Sequence, residues 1–232
     1  MSSSTSEITT RELAGRLDDP KLILIDIRPI AAYNGWTLEN EPRGGHIAGA
    51  KSIPFQWTHY MDWVEVLEEK NIKKDNSIVI YGYSGENSAI MADKLSKLNF
   101  SHVSVYNDFV KEWTTESGLP MQKLPKHRHL VYPGWVSQLS EGKNPPLYDN
   151  DRYVICHAHY DHIEDYHKGH IPGAIPLDTN SLESTETWNR RSPEELKETL
   201  QNLGIRYDTT VVIYGRFSSP VYDEEKFPGK SA

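Results

Sequence analysis

Residues 78–89, IVIYGYSGENSA, have the form of a reactive site. An apolar run of strand length, 78–81, meets a short polar loop, and the pattern predicts a helix opening at about Ser88. Strand–loop–helix units present nucleophiles or hold anions, because the N–H groups of the loop and of the helix start converge on one point. Yet the position directly after the strand is Gly82. The residues that follow, Tyr83, Ser84, Gly85, Glu86, Asn87 and Ser88, include no cysteine, no lysine and no serine–histidine pair. A second candidate is CHAHYDHIEDYHKGH, which holds Cys156, His157, His159, His162, His167 and His170. These are zinc-ligand types, but their spacing fits none of the common zinc patterns, so no metal site is assigned. Cys156 is the single cysteine of the chain, which excludes an internal disulfide. Set within a strand-length run, it reads as a small buried hydrophobe and not as a nucleophile.

The elements that must position these residues follow from periodicity. ITTRELAGRL predicts a short amphipathic helix capped by Thr9 or Thr10. KLILIDIR has the continuous apolar character of a buried parallel strand, and AKSIPF is a shorter one. WTHYMDWVEVLEEKNI has helical spacing, with Trp57, Met61, Val64 and Leu67 on one face. DNSIVIYG is a third strand. SAIMADKLSKLNF is a helix with Ile90, Met91, Leu95 and Leu98 inward, HVSVYN is a fourth strand, and FVKEWTTES closes the unit. Alternating strands and helices specify a parallel α/β sheet.

The pattern then recurs. GGHIAGAKSIPF returns as KGHIPGAIPLD, NIKKDNSIVIYGY as GIRYDTTVVIYGR, and KLILIDIRPIAAY as DRYVICHAHYDHI. The offset of roughly 125–130 residues is the size of a domain. The chain reads as two homologous domains, residues 7–120 and 129–232, joined near GLPMQKLPKHRHLVYPGW. In the last pair of segments Cys156 falls opposite Asp26; in the second pair Gly215, followed by Arg216, falls opposite Gly82 and Tyr83. The second copy stops at FSSPVYDEEKFPGKSA, before the helix that should cover its last strand, although Val211, Val212 and Ile213 need covering. The expectation is a truncated second domain from a longer protein.

In this order and twice over, LIDIRPIAAYNG, GGHIAGAKSIPF, IVIYGYSGENSA and HVSVYNDFVKEW resemble a rhodanese homology domain, and GHIPGAIPLDT repeats one of its signatures. AAYNGW, HLVYPGW and GIRYDTTVVIYGR narrow the resemblance to bacterial three-domain sulfurtransferases of the thiosulfate type. The resemblance implies tandem α/β domains, each a parallel sheet with helices on both faces. It also implies a reaction. A cysteine thiolate takes a sulfane sulfur from thiosulfate or a similar donor, becomes a persulfide and passes the sulfur to a thiol acceptor. The nucleophile's position matches Gly82 in the first domain and Gly215 in the second, and Asn87 replaces the arginine typical of the loop. Both loops, Gly82–Ser88 and Gly215–Arg216, are therefore degenerate, no catalytic residue and no cofactor is assigned, and the resemblance places the cysteine in a third domain. Asp26, Arg28 and His46 receive structural roles that tie the strand end to neighbouring loops, and His170 locks its turn. The remaining histidines are expected on an exposed connection.

Two functions follow. The chain is the non-catalytic part of a rhodanese-family sulfurtransferase, or its degenerate domains form a recognition module for a sulfur carrier or another protein partner. Residual anion binding by backbone donors between Ser84 and Ser88 is a minor alternative. A net charge of −8 over 232 residues argues against a nucleic-acid surface, and no stretch has the length of a membrane span. The polar start MSSSTSEITT lacks the apolar core of a signal peptide. As it stands the chain reads as cytoplasmic; a removed signal would make it periplasmic.

Overall fold

The structure, a computed structural model, describes residues 6–59 and 62–215. The chain divides into two compact units, residues 1–133 and 134–232. In the first unit, β1 (Ser6–Glu7) leads into α1 (Thr10–Ala14). Thr9 caps that helix in a reciprocal capping box with Glu12, which satisfies donors the first turn leaves open. There follow β2 (Leu22–Asp26), α2 (Ile30–Asn34), β3 (His46–Ile47), β4 (Lys51–Ser52), α3 (Trp63–Glu69), β5 (Ser77–Tyr81), α4 (Gly85–Lys97), β6 (Val103–Tyr106) and β7 (Met121–Gln122). Five strands form one sheet in the order β1-β6-β5-β2-β4, and every pairing is parallel.

The apolar run of β5 shows why both faces are covered. Ile78 and Ile80 point into a cluster with Ile25, Leu67, Met91 and Leu95, while Val79 and Tyr81 point into a second one with Leu13, Phe109 and Trp113. Alternate residues thus feed opposite layers, as the pleat requires.

Several details differ from the sequence expectations. Helix α4 begins at Gly85, with Ser84 as its cap, three residues before Ser88. Within it Met91 and Leu95 are fully buried, but Ile90 is exposed, because its position points away from the sheet. The helical spacing from Trp57 to Leu67 is met by two pieces, a 3-10 turn at Phe55–His59 and the separate α3; Met61 lies outside the described residues. The stretch that joins the two units is not featureless. Its β7 pairs antiparallel with β3, and Arg43 donates to the carbonyls of Thr114 and Leu119, both at 3.0 Å. Beyond it His127 packs edge-on against Trp36, and Gly35 has no room for a Cβ, which would lie 2.7 Å from the His127 ring.

The second unit contains α5 (Pro133–Ser140), β8 (Tyr153–His159), α6 (Ile163–Lys168), β9 (Ile175–Asp178), α7 (Pro193–Asn202) and β10 (Thr210–Gly215). Its strands are parallel in the order β10-β8-β9, the same arrangement as β5-β2-β4. Ser192 and Glu195 form a capping box at α7, with Pro193 opening the helix. The register corrects one expectation. Asp26 lies beside Tyr81, whereas the residue beside Tyr214 is His157. Cys156 therefore corresponds to Ile25, one position earlier than the sequence alignment put it. Asp26-Ile27-Arg28 becomes His157-Ala158-His159. Among the described residues no helix is long and apolar enough to cross a membrane.

Candidate functional site

The C-terminal ends of β2 and β5 bring together Asp26, Ile27, Arg28, Tyr81, Gly82 and Tyr83. Arg28 is 1% exposed and organises this end of the sheet. Its Nη2 donates to Asp26 Oδ2 at 2.6 Å and to the Gly45 carbonyl at 2.6 Å, and its Nε donates to Asp26 Oδ1 at 3.0 Å. Its Nη1 reaches Glu41 at 3.4 Å, and the guanidinium lies 4.2 Å from the centre of the Phe109 ring. Burial works against the cation, but the neighbouring Asp26 carboxylate outweighs it and holds the Arg28 pKa above its usual value. Tyr83 donates its hydroxyl to Glu41. Burial, and then this bond, push the Tyr83 pKa well above the ordinary phenol range, so the ring stays neutral. Asp26 and Arg28 thus tie the strand end to the loop before β3.

Above this pair lies a cleft of about 150 Å³, lined by Ile27, Phe55, Gln56, Tyr83, Ser84 and Asn87 among others. It is the space a loop nucleophile would face. A Cβ added at Gly82 would lie 2.7 Å from Ile27 Cγ1 and 3.2 Å from Ile27 Cδ1. Contacts that close force one of the two residues to move, so Ile27 fills the volume a side chain at position 82 would need. The two serines are committed locally. Ser84 Oγ accepts from the Asn87 amide at 3.3 Å, and Ser88 Oγ donates to the Ser84 carbonyl at 3.1 Å. No histidine lines the cleft to activate either one.

The histidine turn is built identically in the two units. His46 Nδ1–H donates to the Tyr33 carbonyl at 2.8 Å, the two rings stack at 3.7 Å, and the Tyr33 hydroxyl donates to the Ala50 carbonyl. His170 Nδ1–H donates to the Tyr166 carbonyl at 2.9 Å, the rings stack at 3.9 Å, and the Tyr166 hydroxyl donates to the Ala174 carbonyl. Tyr81 and Tyr214 each accept the amide that follows the turn histidine, from Ile47 and Ile171. These are fold-locking contacts, as expected for His46 and His170.

The second unit departs from the first where charge is concerned. His157 is 7% exposed and packs against Tyr214 and Tyr166, and the Nδ1 atoms of His157 and His159 have no hydrogen-bond partner among the described residues. Burial lowers the His157 pKa, and the neighbouring His159 adds to the shift. These two histidines lie within β8 and not on an exposed connection, because the strand runs to His159. Among the described residues no group of three or more His, Cys, Asp or Glu side chains is placed to hold a metal ion. Cys156 is fully buried, and burial pushes its thiol pKa up, which disfavours the thiolate. Among the described residues, a Cβ at Gly215 would meet the Ala158 carbonyl at 3.4 Å and Ala158 Cβ at 4.0 Å, which is ordinary contact. Arg216 lies outside the described residues.

Of the residues singled out in the sequence, Gly82 to Ser88 come together as one loop and helix start, and Gly215 ends the matching strand of the other unit. Sequence reasoning missed Ile27, Glu41, Phe55 and Gln56. None carried a usable signal, since the sequence alignment set Ile27 opposite His157 and only the strand register sets it opposite Ala158.

The rhodanese-like domain model matches residues 9–116 and 133–223. The thiosulfate sulfurtransferase YnjE of Escherichia coli strain K12 is 34% identical over 195 residues, 83% of this chain and 43% of that protein. The mitochondrial thiosulfate/3-mercaptopyruvate sulfurtransferase 1 of Arabidopsis thaliana is 27% identical over 128 residues, 50% of this chain and 33% of that protein. Among solved structures, the anaerobic ergothioneine biosynthesis enzyme from Chlorobium limicola, in complex with its natural substrate trimethyl histidine, superposes with a TM-score of 0.89 at 44% identity. That match covers 94% of this chain and 51% of that one. A variant of the enzyme EanB, 45% identical with a TM-score of 0.88, carries a cysteine persulfide in a tetrahedral intermediate state with ergothioneine; the match covers 93% of this chain and 51% of that one. The chain spans about half or less of the length of these proteins.

Proposed function

The chain belongs to the rhodanese-like family, and from that premise we propose that its two domains are the non-catalytic part of a longer sulfurtransferase. The sulfur transfer of that protein runs through a cysteine persulfide in a domain outside these residues, with thiosulfate or another sulfane-sulfur donor and a thiol acceptor as its substrates. One observation carries the reading. Both nucleophile positions are glycine, and at Gly82 the space for any side chain is already held by Ile27. The lone thiol, Cys156, is fully buried within β8.

The retained parts support a scaffolding role. The Asp26–Arg28–Glu41 network and the two histidine turns hold the loops in shape without supplying a reactive group. Persulfide chemistry recorded for a variant of EanB supports sulfur transfer as the reaction of the whole protein. The test is a comparison of sulfurtransferase turnover by the 232-residue chain and by the longer polypeptide. The reading expects turnover in the second alone, lost when a cysteine in its additional domain is replaced by serine.

A further inference from the structure

The cleft of the first domain lies where a reactive loop would act, but its lining is that of a different kind of site. Its apolar walls come from Ile27, Pro29, Pro54 and Phe55. Backbone donors that could hold an oxyanion there are already engaged. The Ile27 amide donates to the Tyr81 carbonyl at 3.0 Å, the Arg28 amide to Asp26 Oδ1 at 3.0 Å and the Phe55 amide to the Ile27 carbonyl at 2.9 Å. Pro29 and Pro54 have no N–H to offer. Arg28, the only cation among the described lining residues, is 1% exposed and faces Asp26 and Glu41. The cluster beneath the cleft therefore sets two carboxylates against one guanidinium. Tyr83, neutral and with its hydroxyl directed to Glu41, adds no charge. Two polar side chains of the lining remain without partners. Gln56 comes from the turn at Phe55–His59 and Asn87 from the first turn of α4, and among the described residues neither side-chain amide has a hydrogen-bond partner. Each carboxamide offers donors and an acceptor, the complement of a peptide group.

We propose that this cleft receives a loop of a protein partner, which inserts one apolar side chain of the size of leucine or phenylalanine and sets the adjoining peptide group against Gln56 and Asn87. The volume of about 150 Å³ matches such an anchor, because apolar space of this order takes a benzene-sized group. The uncharged lining decides the class of ligand. An oxyanion would leave water for a site with no free cation, above a cluster with an excess of negative charge, and nothing there offsets that cost. A peptide group has no net charge and meets matched donors and acceptors, while its apolar side chain gains by burial. The inference goes beyond the non-catalytic role of the two domains by giving the first of them a ligand. It holds wherever the cysteine of the longer protein lies.

The experiment is an NMR titration of the isotope-labelled 232-residue chain with N-acetyl-leucinamide, N-acetyl-glycinamide and sodium thiosulfate at matched ionic strength, read at the amides of Ile27, Tyr83 and Asn87. The proposal expects saturable shifts with the leucine compound at millimolar concentration and binding of the glycine compound weaker by at least about 10-fold, since it lacks the anchor. Thiosulfate is expected to give no saturable shift. The double variant Gln56→Ala/Asn87→Ala is expected to bind the leucine compound at least about 10-fold more weakly than wild type. Saturation by thiosulfate at these amides overturns the proposal and makes the cleft an anion site. Equal binding of the leucine and glycine compounds, an unaltered affinity in the double variant, or no saturable shift with the leucine compound overturns it as well. Thermal melting checks the double variant; if that variant does not fold, the three titrations of the wild type decide alone. None of these measurements reads turnover, so their failure leaves the non-catalytic reading standing.

Discussion

Ile27 and Gly82 are fitted to each other: a Cβ at residue 82 would lie 2.7 Å from Ile27 Cγ1. The repeat shows the contrast: Ala158 stands where Ile27 stands, and among the described residues it leaves Gly215 without so close a contact. On the reading proposed above, Ile27 takes up the space that a side chain at residue 82 would need.

Introducing a side chain at the two glycines should separate these cases. Gly82→Cys forces a shift in a packed layer and should destabilise the first domain by about 1–3 kcal/mol. Ile27→Ala alone opens a cavity at a cost of about 2–5 kcal/mol. The double variant should be less unstable than the sum of the two by at least about 1 kcal/mol, because each change relieves the other. Gly215→Ala should stay within about 0.5 kcal/mol of wild type. Urea unfolding of the four variants measures all of this, and additive effects of Ile27→Ala and Gly82→Cys would deny the interlock.

The buried ion pair makes a second prediction. Arg28 and Asp26 have fully buried side chains 2.6 Å apart, and Glu41 completes the cluster. Arg28→Ala leaves two carboxylates without their cation and should cost about 3–5 kcal/mol, far more than truncating an exposed arginine such as Arg152. Chemical denaturation at neutral pH measures both, and similar costs for the two would contradict the role given to Arg28.

Acid should weaken both domains in the same direction. Burial lowers the pKa of His46 in the first and of His157 in the second below the free value of 6.5. The unfolded chain then takes up protons near pH 6.5 that the folded chain resists. The stability these groups contribute is present above pH 6.5 and is lost as pH falls through that value toward the lower folded pKa. Urea midpoints at pH 7.5 and pH 5.5 should fall with acid, and His157→Gln should flatten the part that belongs to the second domain. A midpoint that rises on acidification would refute the assignment.

Cys156 should be unreactive in the native protein. It is fully buried in a central strand with its thiol pKa raised by burial. A disulfide reagent should modify it at least about 100-fold faster in denaturing urea than in buffer. Equal rates would place the thiol at the surface and reopen it as a nucleophile.

Much of this arrangement was legible in the residues themselves. The continuous apolar runs at 22–26 and 77–81, each followed by a helical pattern, identified buried parallel strands, and the repeat set Gly82 opposite Gly215 at the ends of matching strands. What was not legible depended on register and on contacts distant in sequence. His157, and not Cys156, matches Asp26, because two extra residues before Tyr166 shift the alignment and only pairing with Tyr214 fixes it. Ile27 shows no trace in the sequence of facing Gly82, since that contact comes from two neighbouring parallel strands. Glu41 sits in a loop with no periodicity, and its carboxylate is held by Arg28, Tyr83 and the Glu39 amide.

The central claim is that this chain holds the rhodanese scaffold without its nucleophile. The most direct measurement is thiosulfate:cyanide sulfurtransferase turnover by purified residues 1–232, as wild type and as Cys156→Ser. The account predicts no turnover above a buffer blank for either protein. Turnover that survives Cys156→Ser would contradict the family chemistry assigned here, and turnover lost with that substitution would make Cys156 the nucleophile after all.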